Sequence, residues 1–201
     1  MATLRLRQLV TRHVGPIDLS VAAAECVCIQ GASGSGKTLL LRAIADLDPC
    51  QGEASLDGVR CASVSAPDWR RSVALVVAES QWWSERVREH FDHGVDPVWL
   101  EQLGLPAAAM DWDLARCSTG ERQRLALLRT LMLRPAALLL DEPTGNLDPD
   151  STRRVEVLLD DYRRQQQAAL LWVSHDAGQI ERVAQRRFVL RNGRLEEGEP
   201  A

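Results

Sequence analysis

Apolar residues recur with two different periods along this chain. In the first thirty residues they stand at every second position or in a short continuous run, which predicts strands over 4–9, 17–21 and 25–30. Apolar residues between 40 and 47 repeat instead at helical spacing. A helix is therefore expected directly after the glycine-rich stretch that follows the third strand.

Strand-like and helix-like segments keep alternating to the end of the sequence. Continuous apolar runs at 73–78, 136–140 and 168–173 predict buried strands, and the first of these has the composition of a strand in the middle of a sheet. Helical spacing predicts helices over 121–133 and 151–166. Strands that alternate with helices indicate an α/β fold with a mostly parallel sheet.

Two turns and one insert complete this plan. Asp57-Gly58 and Asn192-Gly193 have the composition of hairpin turns, and the second closes the chain with a hairpin after the apolar run at 188–190. Between 81 and 116 the apolar spacing is helical but broken by prolines, and tryptophans are concentrated there. We predict a small helical subdomain over about 81–134, inserted into a single domain that spans 1–201.

Composition and charge narrow the classes of function. The 201 residues carry a formal net charge of −4, which excludes a nucleic-acid binder that works by bulk positive charge. No apolar run approaches the roughly 18 residues of a membrane-spanning helix, and the amino-terminal residues show no secretory signal. We therefore expect neither direct membrane insertion nor nucleic-acid binding.

The five cysteines are irregularly spaced. Cys26 and Cys28 are two residues apart on a predicted strand, so they should share one face of the sheet. No second cysteine pair matches them as a metal site would require. Reduced core thiols are the expected state.

The glycine-rich stretch matches a phosphate-binding loop, G-x-x-x-x-G-K-[ST], between a strand and a helix. Its glycines let successive backbone N–H groups face phosphate oxygens, at the positive end of the following helix. Lys37, the only lysine in the chain, supplies a mobile charge for the β- and γ-phosphates, and Thr38 supplies a hydroxyl for Mg²⁺. The predicted nucleotide contacts are Gly31, Ala32, Ser33, Gly34, Ser35, Gly36, Lys37, Thr38 and Leu39.

Two carboxylates follow the buried strand at 136–140. Because α/β sheets bind ligands at the carboxyl ends of their strands, Asp141 can hold Mg²⁺ and Glu142 can take a proton from the attacking water. His175 follows the next apolar strand and could donate to the γ-phosphate. A histidine in that position is by itself more often a structural residue.

The order of further motifs resembles that of the ABC-transporter ATPases over essentially the whole chain. Cys117-Ser-Thr-Gly-Glu121 is similar to the family's signature, usually Leu-Ser-Gly-Gly-Gln, and Asp-Glu-Pro-Thr-Gly-Asn-Leu-Asp148 is similar to its D-loop. The resemblance implies a P-loop NTPase core with an amino-terminal antiparallel β part, and a switch role for His175. It also implies a head-to-tail homodimer, in which Ser118 and the Gly120 amide cap the γ-phosphate of the other protomer and Asp148 reaches across the interface.

The implied function is ATP hydrolysis by the subunit of a membrane transporter, with ATP and Mg²⁺ bound between two cassettes. Its implied partner is a separate integral-membrane permease, which would hold the chain at the cytoplasmic face of the cell membrane. Overall length and the Trp172-Val-Ser-His-Asp stretch are similar to the small cassettes of metal (iron) export. The alternatives are a non-transport ABC-type ATPase and a regulatory nucleotide-binding module.

Besides Cys117, a small apolar thiol in place of the signature leucine, two departures from the family pattern concern the nucleotide site. Ala78 stands where the family has its Q-loop glutamine, so either Glu79 or Gln81 reaches the Mg²⁺ and water or that coupling is weakened. The region before the phosphate loop also contains no Tyr, Phe or Trp that could stack on adenine. His13 is the only stacking side chain within reach.

Overall fold

Two β-sheets make up the framework in residues 3–92 and 94–198, which are the part of the chain that this computed structural model describes. The strands are β1 Leu4–Val10, β2 Ile17–Val21, β3 Cys26–Gln30, β4 Gln51–Leu56, β5 Val59–Arg60, β6 Val73–Val76, β7 Ala137–Asp141, β8 Ala169–Val173, β9 Arg186–Arg191 and β10 Arg194–Glu197. An antiparallel sheet has the order β2-β1-β4-β5, and the main sheet has the order β10-β9-β3-β8-β7-β6. Strands β9, β3, β8, β7 and β6 run parallel, and β10 is antiparallel. The predicted α/β fold class is confirmed.

Six α-helices and four short 3₁₀ turns connect these strands in the described residues. The helices are α1 Lys37–Ile44, α2 Ala66–Ser72, α3 Pro97–Gln102, α4 Thr119–Met132, α5 Pro149–Gln166 and α6 Ala177–Val183. The 3₁₀ turns are Cys61–Ser63, Val87–His90, Ala107–Asp111 and Leu114–Arg116. Within the described residues, no helix is both long and apolar enough to cross a membrane.

Strands β3, β8, β7 and β6 of the main sheet are covered on both faces, and their side chains alternate between two cores. On β3, Val27 and Ile29 enter the core shared with the antiparallel sheet, α1 and α2, whereas Cys26 and Cys28 enter the core covered by α4, α5 and α6. This alternation follows from the two-residue period of a strand. It explains why β3, β7 and β8 are continuous apolar runs rather than alternating ones.

The prediction that the cysteines are reduced core thiols is confirmed only in part. Cys26, Cys28 and Cys117 are buried free thiols, and the first two share one face as predicted. Cys50 is exposed and Cys61 is half-buried, so the expectation of core thiols is wrong for these two. Both lie outside the continuous apolar runs.

The position of the 73–78 strand corrects another prediction. It was expected in the middle of the sheet, but β6 is an edge strand. Its faces are nevertheless covered, because Val73 belongs to one core and Ala74 and Val76 to the other. An apolar run reports burial of the two faces, and it carries no information on whether both edges are hydrogen-bonded.

Helix starts differ from the sequence prediction for a local reason. α4 begins two residues early because Ser118 caps it, and α5 begins two residues early because Asp148 caps it and Pro149 occupies its first position. Between 81 and 116 the chain forms α3 and 3₁₀ turns rather than longer helices. The single-domain span 1–201 stays a prediction, and its residues 1, 2, 93 and 199–201 lie outside the described residues.

Candidate active site

Three parallel strands deliver the candidate residues to one edge of the main sheet. β3 runs into the glycine loop, β7 ends at Asp141, and β8 ends just before Ser174 and His175. Because β3 pairs with β8 and β8 with β7 in parallel register, their carboxyl ends meet. The cavity there has a volume of about 530 Å³ and is lined by Gly31, Ser33, Gly34, Gly36, Lys37, Thr38, Leu39, Ala78, Asp141, Glu142 and His175.

The glycine loop is shaped to receive an anion. Gly36 has a φ of 101° and precedes α1 without a side-chain cap, so the first N–H groups of that helix keep their hydrogen-bonding capacity. A Cβ at Gly36 would collide with Val14, which packs against the loop, whereas one at Gly34 would meet open space. Val14 therefore supports the loop on one side, and the loop backbone at Gly34 is accessible on the other.

Lys37 is folded back over this loop. Its side chain is buried, and Nζ donates to the carbonyl oxygens of Gly31 at 2.8 Å and Ala32 at 3.0 Å. The Ser35 hydroxyl is buried in the same loop and has no partner among the described residues. A single mobile cation and an unsatisfied hydroxyl beside free N–H groups fit the phosphates of a nucleotide.

Thr38 and Asp141 are joined directly. Thr38 Oγ1 donates to Asp141 Oδ2 at 2.8 Å, linking the start of α1 to the end of β7. Burial raises the pKa of Asp141, and the Thr38 hydrogen bond opposes that rise. One hydroxyl and one carboxylate are the hard oxygen donors that Mg²⁺ prefers when phosphates complete its shell, so these residues fit the predicted ion.

Glu142 is held by its backbone while its side chain stays accessible. Its φ of 47° is uncommon for a residue with a side chain. Its carbonyl oxygen accepts from Gly145 N at 3.1 Å and from Gln123 Nε2 at 3.2 Å, and its own N–H donates to Val173. The side chain lies 3.3 Å from His175, measured from Oε1 to Nδ1. These contacts place a carboxylate and an imidazole side by side at the mouth of the cavity.

The signature and D-loop residues lie elsewhere. Ser118, Gly120 and Asp148 do not line this cavity, although Gly120 packs against Leu147 of the D-loop segment. Ser118 forms a capping box with Glu121, which lowers the pKa of the Glu121 carboxyl through hydrogen bonds from Ser118. Ser118 and Asp148 are exposed. In the single chain these side chains have a structural role as helix caps, and their contacts with nucleotide stay predictions.

The two departures from the family pattern can be located. Ala78 lines the cavity with only a methyl group, whereas Glu79 and Gln81 are exposed and are not among the lining residues. Neither alternative for the missing glutamine therefore reaches the site in this structure. His13 is exposed and also lies outside the lining, so it stays an untested candidate for contact with adenine.

A buried polar network behind the site was missed by the sequence analysis. Gln179 donates to Thr144 at 2.9 Å and to Glu156 at 3.0 Å, and Arg182 binds Glu156 through two hydrogen bonds of 2.9 and 2.7 Å. The network joins α5 and α6 to the loop that follows Glu142. No spacing in the sequence could indicate it, because its members come from three separate segments.

A phosphate-binding loop, a threonine–aspartate pair and an adjacent glutamate at the carboxyl edge of a parallel sheet define a P-loop nucleoside triphosphatase site. The sequence model of the family described as ABC transporter matches residues 14–145. The chain belongs to this family and to its ATP-binding proteins. The resemblance inferred from the ordered motifs is thus confirmed.

Individual relatives show how far the similarity extends. The chain is 36% identical over 201 residues to the "Aliphatic sulfonates import ATP-binding protein SsuB 2" of Frankia alni, covering 96% of this chain and 77% of that protein. It is 31% identical over 176 residues to the "Probable iron export ATP-binding protein FetA" of Escherichia coli K12, covering 82% and 78%. A solved bacterial Atm1-family ABC exporter with ATP bound has the same fold, with a TM-score of 0.84 and 23% identity over 98% of this chain and 38% of that one.

Thr144→Val tests the network behind the site. The change keeps the volume of the side chain but leaves the buried Gln179 amide without its Thr144 partner, so the free energy of unfolding should fall by about 1 kcal/mol. Thr144→Ser retains a hydroxyl and should behave like the unchanged protein. Urea unfolding measures both, and equal stability of the Val and Ser variants would show that the hydrogen bond contributes nothing.

Proposed function

We propose that this chain hydrolyses ATP as the ATPase subunit of a membrane transporter and acts as a homodimer on a separate permease. The observation that carries the proposal is the division of the candidate residues between two surfaces. One surface holds the phosphate loop, Asp141, Glu142 and His175, and the other presents the exposed Ser118 and Asp148. Two copies arranged head to tail would unite the two surfaces.

Each residue of the cavity has a defined part in the proposed reaction. Lys37 leaves the carbonyl oxygens of Gly31 and Ala32 to contact the β- and γ-phosphates, while Thr38 and Asp141 hold Mg²⁺. The ion, when bound, supplies positive charge that offsets the charge of the phosphates. Glu142 accepts a proton from the attacking water, and His175, 3.3 Å away, donates to the γ-phosphate.

The second copy would complete the phosphate contacts. Ser118 and the Gly120 amide stand at the start of α4, where the helix dipole favours an anion. Asp148 stands at the start of α5, within a segment that packs against Gly120. Contacts from these groups would make hydrolysis depend on dimerisation.

The permease is proposed to contact the segment after β6. Trp82 and Trp83 lie there against the buried His90, with ring centroids 4.7 and 4.4 Å from it, and the Arg129 guanidinium lies over both indoles. Trp82 packs against the core, but Trp83 is 69% exposed. An exposed tryptophan whose ring packs against a buried histidine and an arginine is suited to anchor a partner. The chain would then lie at the cytoplasmic face of the cell membrane through the permease.

Two relatives of this chain have names that describe different cargoes. Similarity to FetA supports the proposal of iron export, but similarity to SsuB 2 is higher and that name describes sulfonate import. The second candidate function is a regulatory nucleotide-binding module. The observation that favours it is Ala78, which places no polar side chain where the family glutamine would be.

Glu142→Gln separates hydrolysis from binding. Loss of the carboxylate should leave ATP binding intact and slow turnover by about 10²–10⁴-fold, or roughly 3–5 kcal/mol of barrier. The variant should also trap an ATP-bound dimer on size-exclusion chromatography. Glu101→Gln, which changes an exposed carboxylate on α3, is the control. Unchanged steady-state hydrolysis by pure Glu142→Gln protein would remove Glu142 from this role, and no hydrolysis by the unaltered protein would favour the regulatory module.

Complementation tests the divided site. Ser118→Arg and Lys37→Ala should each abolish hydrolysis, because each variant loses one half of every site in its own homodimer. A mixture should regain activity, since a mixed dimer contains one site with an intact Lys37 and an intact Ser118. Native mass spectrometry establishes that heterodimers form. Inactive heterodimers would contradict the head-to-tail arrangement.

Trp83→Ala tests the proposed anchor. The exposed indole should add little to folding, so thermal stability and basal hydrolysis stay nearly unchanged, while binding to the permease weakens by about 2 kcal/mol. The measurement is the amount of integral-membrane protein that co-purifies with each tagged variant, compared with what the unchanged chain retains. Trp82→Ala is the contrasting variant, because that indole packs on the core and its loss should lower stability. Normal co-purification by Trp83→Ala would show that the anchor lies elsewhere.

A further inference from the structure

A second cavity lies on the far side of the buried polar network. We call it the α5–α6 cavity, because it is bordered by α5, the end of α6 and the main-sheet face that carries Leu170 and Trp172. Its volume is about 450 Å³, within the range of small-molecule sites. None of the candidate active-site residues lines it, and the proposal below therefore stands independently of ATP hydrolysis.

The wall of this cavity contains a donor without an acceptor. Trp172 is 1% exposed, and its indole Nε1–H has no hydrogen-bond partner among the described residues. Buried N–H groups in folded proteins nearly always have an acceptor, either in the protein or in a bound molecule. Trp172 therefore leaves a buried donor at this wall that an acceptor from outside the chain could satisfy.

The charged groups of the lining leave one cation in excess. Arg182 is paired with Glu156, and Arg163 with Asp160. Arg153 also lines the cavity, and no ion pair or hydrogen bond of its side chain occurs within residues 3–92 and 94–198. Three arginines against two carboxylates give the lining a formal charge of +1, in a chain whose net charge is −4. A ligand here should be an anion.

We infer that the α5–α6 cavity binds a small organic carboxylate with an apolar body and a second hydrogen-bond acceptor. The carboxylate pairs with Arg153, which is exposed and borders both this cavity and the neighbouring one lined by Glu142 and His175. The apolar body packs against Val157, Leu170 and Val183, and the second acceptor receives the Trp172 N–H. This arrangement satisfies both the excess cation and the buried donor.

Three matched probes test the chemistry of this ligand. 4-Acetylbenzoate carries a carboxylate, an aromatic body and a keto oxygen; its methyl ester lacks the charge, and 4-ethylbenzoate lacks the keto oxygen. The six tryptophans give indole N–H resonances that can be followed by NMR on the ¹⁵N-labelled full chain. The resonance lost in Trp172→Phe identifies Trp172. That resonance should shift saturably with 4-acetylbenzoate, and the two analogues should bind more weakly.

Two neighbouring arginines give matched variants. Arg153→Gln should weaken 4-acetylbenzoate binding at least about tenfold, as loss of a hydrogen bond to a charged group predicts. Arg154→Gln, at the next position of α5 and outside the cavity lining, should leave the affinity unchanged. No shift of the Trp172 resonance, an equal shift with the methyl ester, or equal effects of the two arginine variants would each overturn the proposal. If Trp172→Phe unfolds, through-bond and NOE connectivities in the unchanged ¹⁵N,¹³C-labelled protein assign the Trp172 resonance instead, and the same comparisons apply.

Discussion

The parallel register of β3, β8 and β7 is the constraint on which the candidate active site depends. Strands β3 and β8 pair one to one from Cys26 with Leu170 to Ile29 with Val173. Strands β7 and β8 pair in the same way, ending at Asp141 with Val173. The glycine loop, the two carboxylates and His175 therefore leave the sheet at one edge, although the loop precedes the carboxylates by more than a hundred residues in the chain. The Thr38–Asp141 hydrogen bond closes this edge by tying α1 to β7. A shift of one residue in either pairing would separate the donors and turn the apolar side chains to the wrong cores.

The same side chains serve folding and the proposed chemistry. Ser118 and Asp148 cap α4 and α5, so both are fixed by local hydrogen bonds before any second chain approaches. Capping also places them at helix starts, where an anion or a backbone partner is favoured. A surface that is ordered and exposed in the single chain requires little rearrangement to contact a second copy.

The loop after Glu142 connects the two cavities. Its Glu142 carbonyl is bound by Gln123 of α4, and its Thr144 hydroxyl is bound by Gln179 of α6. Gln179 in turn contacts Glu156, whose partner Arg182 lines the α5–α6 cavity. A continuous chain of hydrogen bonds therefore links the segment that carries the proposed base to the lining of the α5–α6 cavity.

The sequence by itself determined the phosphate loop, the buried strands and the order of the motifs, because each depends on glycine geometry, short-range periodicity or local spacing. It could not place β6 at an edge, since an apolar run reports buried faces and not paired edges. It left Glu79 and Gln81 as alternatives to the missing glutamine, and only the course of the chain beyond β6 shows both outside the cavity. The Thr144–Gln179–Glu156 network and the unpartnered Trp172 N–H likewise emerged only from tertiary structure. They depend on contacts between distant segments, and no local pattern encodes which buried polar group finds a partner.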